Sequence, residues 1–136
     1  MSNGLEGVVA ADTVLSHTDG DTGTRWVRGH SIGDLMAHDG FEGTVAIIWE
    51  GFTGEGLTRA RIQSDFGAGR ELAFSQMNDW LVAAAKRPLL EGVRIALAAM
   101  PEDSPPTAIA ATLPVAIAAL IRTRQGQPPV RPDSTL

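Results

Sequence analysis

The chain has 136 residues, a formal charge of -5, 43% hydrophobic and 20% charged residues, and no cysteine. A chain of this length makes one domain whose core removes roughly two thirds of the unfolded surface from water, and the composition excludes wholesale disorder and fibrous repeats. The acidic balance without a basic cluster excludes a generic affinity for nucleic acid or acidic membrane, and the lack of cysteine excludes a disulfide scaffold, a thiol nucleophile and cysteine-ligated zinc.

From the N-terminus, Met1 to Gly7 has no basic segment followed by an apolar run, so it does not read as a secretory leader. Val8 to Ser16 carries β-branched residues and runs into Asp19-Gly20-Asp21-Thr22-Gly23, which precedes Thr24 to Arg28, a pattern that predicts a short β-hairpin. Ser31 and Asp34 form a helix-start signal for a short helix over Ile32 to Ala37, closed by His38-Asp39-Gly40. Phe41, Val45, Ile48 and Trp49 recur at helical spacing and Gly51 supplies a stop.

Between Leu57 and Lys86 the apolar spacing predicts two helices, with an interruption near Gly67-Ala68-Gly69. Leu89, Leu90, Val93, Leu97 and Met100 trace a further helical stripe that ends at Pro101. Thr107 to Arg124 is almost continuous Ala, Ile, Leu and Val around Pro114, which predicts a helix buried on most sides and kinked at the proline. Its most apolar part, Ala108 to Ile121, is short for a bilayer crossing, so the chain reads as soluble and, with its lack of cysteine, as cytoplasmic. The tail from Gln125 to Leu136, with Pro128, Pro129 and Pro132, predicts extended and poorly packed structure.

Candidate chemistry is sparse. The histidines His17, His30 and His38 fall on turns or element ends without a ligand-motif spacing, and Asp12, Asp19 and Asp21 lack the alternating ligands and terminal glutamate of a calcium loop. Gly67-Ala68-Gly69 lacks the third glycine and the preceding strand of a dinucleotide fingerprint. Arg122 and Arg124 offset a helix macrodipole, and Trp26, Trp49 and Trp80 occupy amphipathic core positions. No metal or cofactor site is expected in the chain.

Several segments, in order, carry a resemblance to one enzyme family. They are the glycine-framed opening Gly4 to Thr13, Asp19-Gly20 with Gly23, Arg28-Gly29-His30-Ser31-Ile32, Leu35, and Phe41-Glu42 leading to Trp49-Glu50-Gly51. Arg87-Pro88-Leu89-Leu90-Glu91-Gly92-Val93-Arg94 is similar to the family's His-Pro-Met helix start. Leu113-Pro114-Val115-Ala116-Ile117-Ala118, Arg122, Gly126, Pro128 and Pro132 are similar to its next helix and proline-rich exit. His30 stands where the family often has tyrosine, Lys86-Arg87 replaces the histidine before Pro88, and no proline follows Gly51.

The family resembled is that of the citrate synthases and 2-methylcitrate synthases, and the resemblance implies a mainly α fold: citrate synthase-like N-terminal helices preceded by a short β-hairpin. Residues 1–124 form one N-terminal region without the catalytic part, and 125–136 the proline-rich tail. In the family a carboxylate and two histidines join an acyl-CoA to an α-keto acid such as oxaloacetate, a tricarboxylic acid cycle reaction, and those groups lie downstream of the segment resembled here. The implied role is therefore a non-catalytic subunit of a split enzyme, hetero-oligomeric with a C-terminal citrate synthase-like chain, with acyl-CoA as substrate of the assembled enzyme and no cofactor held by this chain alone. Leu89, Leu90, Val93, Leu97, Leu113, Ile117 and Leu120 are the expected partner interface. The alternative is a stand-alone, self-associating binding or regulatory module with a degenerate citrate synthase-like fold.

Overall fold

The computed structural model describes residues 12–133, so Val8 to Ala11 of the β-branched run lie outside the described residues, while Asp12 to Leu15 are not in a strand and β-structure begins only at Ser16. Strands β1 (Ser16–Asp19) and β2 (Thr24–Val27) form the expected antiparallel hairpin, with His17 opposite Trp26 and Asp19 opposite Thr24. The turn is closed by the Asp19 carboxylate. Its Oδ1 accepts from the Asp21 and Thr22 amides at 2.9 and 3.3 Å and its Oδ2 from the Thr22 hydroxyl at 2.8 Å. A third short strand, β3 (His30–Ser31), pairs with β2 and was not expected from its two residues.

Ser31 caps α1 (Ile32–Asp34), accepting from the Asp34 amide at 3.1 Å while its hydroxyl donates to the Asp34 carboxylate at 2.7 Å. The helix is shorter than the expected Ile32 to Ala37 because the chain widens into a π-helical turn over Leu35–Asp39 before α2 (Gly40–Trp49) begins. Beyond α2, Glu50 holds the following loop by accepting from the Gly56 and Leu57 amides, both at 2.8 Å. Arg28, at φ 51°, donates to the Glu50 carbonyl at 2.7 Å and stacks on Phe52, which ties the hairpin to the end of α2.

The helical body comprises α3 (Arg59–Ser75), α4 (Met77–Ala85), α5 (Leu89–Ala98) and α6 (Pro106–Arg124). Thr58 caps α3, and Pro106 occupies the first turn of α6, where its missing N–H costs no helical bond. The expected break at Gly67-Ala68-Gly69 is absent: α3 runs straight through it and yields to α4 at Gln76. Close packing, not chain reversal, explains the glycine. A Cβ on Gly69 would lie 2.8 Å from the Ala108 Cα and 2.9 Å from the Ala111 Cβ, so its absence lets α6 approach α3.

Two apolar clusters share α6. One gathers Ala46, Ile62, Phe66 and Ala111 under α2 and α3, with Trp49 tilted against Phe66 at 6.2 Å between ring centroids. The other gathers Met77, Trp80, Ala84, Val93, Ala96, Ala116, Ala119 and Leu120 among α4, α5 and α6. Trp80 and Trp49 thus hold the core or its margin, whereas Trp26 sits exposed on the small sheet, contrary to its expected core position. Thr112, fully buried between the clusters, is satisfied by donating to the Ala108 carbonyl at 2.9 Å, with the Met100 sulfur at 3.1 Å.

Replacing Gly69 by alanine should cost about 1–3 kcal/mol through overpacking against α6. If helix propensity governed the position, the same change would instead add about 1 kcal/mol, so urea unfolding of G69A separates the two by sign. Backbone hydrogen bonds from Leu57 and Gly56 hold the Glu50 carboxyl below the ordinary glutamate range. The stabilisation that Glu50 gives its loop is then complete above the unfolded-state value and lost as pH falls through the lower folded-state value. The Gly56 and Leu57 amides should accordingly lose exchange protection at acid pH, and E50Q should show weaker protection already at neutral pH.

Candidate functional site

The residues expected at a partner surface divide between two faces. Leu120 is 0% and Val93 7% exposed, both inside the α4–α5–α6 cluster, so they are used by the chain's own core. Leu89 and Leu97 are half-buried against that cluster. Leu90 is 75%, Leu113 40% and Ile117 39% exposed, which leaves these three at the surface. On α6, Leu113 and Ile117 belong to a longer stripe: Ile109, Leu113, Ile117 and Ile121 follow one another at intervals of four and are all exposed to a similar degree. The signal was present in the sequence as a four-residue repeat of branched side chains.

The helix is therefore two-faced in packing though not in polarity. Ala108, Ala111, Thr112, Val115, Ala116, Ala119 and Leu120 form its buried side, so the expectation of burial on most sides is met on one side only. Its 19 residues also outrun the segment 108–121, and it is the one described helix long and apolar enough, by length and composition, to cross a membrane. Here its small side chains are used to meet α3 and α5 closely.

Residues 127–133 of the tail have no regular secondary structure, and they pack back onto the helices. Arg131 forms an ion pair with Glu71 of α3, its Nη2 lying 2.9 Å and its Nε 3.0 Å from Oε2. Arg122 donates from Nε to the Pro128 carbonyl at 2.7 Å, and Arg124 donates to the Arg87 carbonyl at the end of α4. The two α6 arginines thus also bind the chain that flanks them, besides lying where the helix dipole favours positive charge. Between the tail, α3 and α6 lies a groove of about 280 Å³ lined by Phe74, Pro114, Val115, Ala118, Val130 and Pro132 together with Arg70, Arg122 and Arg131.

The remaining candidates stay apart. His17 and His30 are exposed on β1 and β3, and among the described residues no group of three or more His, Asp or Glu is placed to hold a metal ion. Asp19 is engaged in its turn, where the hydrogen bonds from Thr22 and Asp21 hold its carboxyl below the ordinary range. The sequence reading missed the unpartnered Nη2 of Arg70, since nothing in a single sequence says that this arginine lines a groove under its own tail.

The family model described as citrate synthase, C-terminal domain, matches residues 4–136. Among curated proteins, the citrate synthase of Haloferax volcanii is 27% identical over 157 residues, a match covering 100% of this chain and 40% of that protein. The citrate synthase of Acidithiobacillus ferridurans is 32% identical over 72 residues, covering 53% of this chain and 19% of that protein. The chain therefore spans well under half the length of either relative, and the matches give the extent of the shared sequence but not its place along them. No solved structure matches. With the helical architecture expected from the ordered motifs and a family match over nearly its whole length, the chain belongs to the citrate synthase family.

Proposed function

We propose that the chain is a non-catalytic scaffold subunit of a split citrate synthase-type enzyme. It corresponds to the N-terminal part of the longer relatives. A C-terminal citrate synthase-like partner chain carries the catalytic histidines and aspartate, and the assembled enzyme condenses an acyl-CoA with an α-keto acid such as oxaloacetate in the cytoplasm. The observation that carries this reading is the Ile109-Leu113-Ile117-Ile121 stripe, left open on the helix whose opposite face joins both apolar clusters. Contiguous apolar surface of this kind marks partner surfaces, and the part of the relatives that this chain does not cover is the natural source of the partner. Leu90, Leu113 and Ile117 are then contacts to the partner, while Val93 and Leu120 support them from beneath.

Light scattering on the chain alone and mixed with a candidate partner, followed by an assay of CoA release from acyl-CoA and oxaloacetate, tests the proposal. A defined hetero-complex with activity that neither chain has alone is the expected result. A homo-oligomer that is indifferent to the partner and inactive with it overturns the proposal in favour of a self-associating module, in which the same stripe meets its symmetry mate.

Variants separate surface from core on this helix. L113K and I117K should each lower stability by less than about 1 kcal/mol yet weaken the complex by tenfold or more. L120A should cost about 2–5 kcal/mol because it opens a cavity in a closed core. Equal losses of folding stability in all three, measured by urea unfolding, would contradict the two-faced description of α6.

A further inference from the structure

We propose that the groove between α3, α6 and the tail is a binding site for a small amphipathic anion, with a carboxylate or phosphate group on Arg70 and an apolar body against Phe74, Val115 and Ala118. Arg70 lines this groove, and its Nη2 is buried without a hydrogen-bond partner. Burying a guanidinium nitrogen with no acceptor is unfavourable, and such groups are normally paired. The neighbouring groups do not supply that acceptor. The Glu71 carboxylate is taken by Arg131 through both oxygens, with Nε 3.2 Å from Oε1 and 3.0 Å from Oε2, and the Pro128 carbonyl is taken by Arg122.

The surroundings select the class of ligand. Three arginines line the groove, and of these Arg131 is already paired with Glu71, so the lining favours an anion. Its walls are proline, phenylalanine, valine and alanine, which a bare inorganic ion cannot use. At about 280 Å³ the space lies at the small end of ligand pockets, suited to a short chain or small ring bearing one anionic group. Arginine's planar fork offers either a carboxylate or a phosphate two parallel donors, so both headgroups share the recognition chemistry. The site lies on chain described here and needs no partner subunit.

The test is a titration of the full chain with hexanoate, with hexyl phosphate and with inorganic phosphate, followed by methyl NMR of Val115 and Ala118 and by thermal melting. Saturable shifts at both methyls with hexanoate or hexyl phosphate, accompanied by a raised melting temperature, are expected, and the tighter of the two identifies the headgroup. R70M should abolish binding or weaken it at least tenfold, while melting at or above the wild-type temperature without ligand, because it removes a buried guanidinium nitrogen that has no acceptor. A118L, which fills the groove and leaves Arg70 in place, should block both hexyl ligands as well. The proposal is overturned if no organic anion binds at millimolar concentration, if inorganic phosphate binds as tightly as hexyl phosphate, or if A118L binds the hexyl ligands like wild type.

Discussion

Everything in the helical body depends on how closely α6 can approach its neighbours. Ala108, Ala111, Ala116 and Ala119 present almost no side chain on its inner face. The facing helices answer with Gly69 on α3 and Gly92 on α5, where an added Cβ would meet the Leu120 Cδ1 and the Ala84 carbonyl at 2.9 Å. Close helix contacts gain dispersion over many backbone atoms at once, and they lose it just as quickly when one methyl group intervenes. The larger side chains, Ile62, Phe66, Trp80 and Leu120, then fill the spaces on either side of these narrow crossings.

Polar interactions play a different part, fastening segments that carry too little apolar surface to dock by themselves. The hairpin is joined to the body through Arg28, Glu50 and Phe52, the α2–α3 loop through the Glu50 carboxylate, and the tail through Arg122, Arg124 and Arg131. Most of these groups are exposed or partly so, where ion pairs and hydrogen bonds add little to global stability. They determine where the segments lie more than whether the chain folds. The groove at Arg70 exists because the tail is held in this way.

The helices were readable because apolar spacing is a local property: Leu89–Ala98 and Pro106–Arg124 lie within a few residues of the expected spans. Gly67-Ala68-Gly69 misled because glycine weakens an isolated helix, and only the tertiary partner at Ala108 shows why it is tolerated. Trp26 misled for the converse reason, since β-strand pattern and size suggest burial but cannot say whether anything covers that face. At the candidate surface, periodicity identified α5 and α6 but could not divide Leu120 from Ile117, three positions apart on one helix, because that division depends on which side the neighbouring helices occupy.

The spacing of the open stripe also constrains the geometry of whatever lies along it. Ile109, Leu113, Ile117 and Ile121 are successive members of one four-residue row. Such a row does not run parallel to the helix axis but is inclined to it by roughly 26°. A helix that beds a like row into the groove alongside must cross α6 at about 50°, a steeper and opposite-handed crossing than the roughly 20° of a coiled coil. Contact between two helices at that angle is confined to a short stretch near the crossing point. Covering all four branched side chains therefore calls for more than one helix laid obliquely across α6, a broad surface in place of a single matching rod.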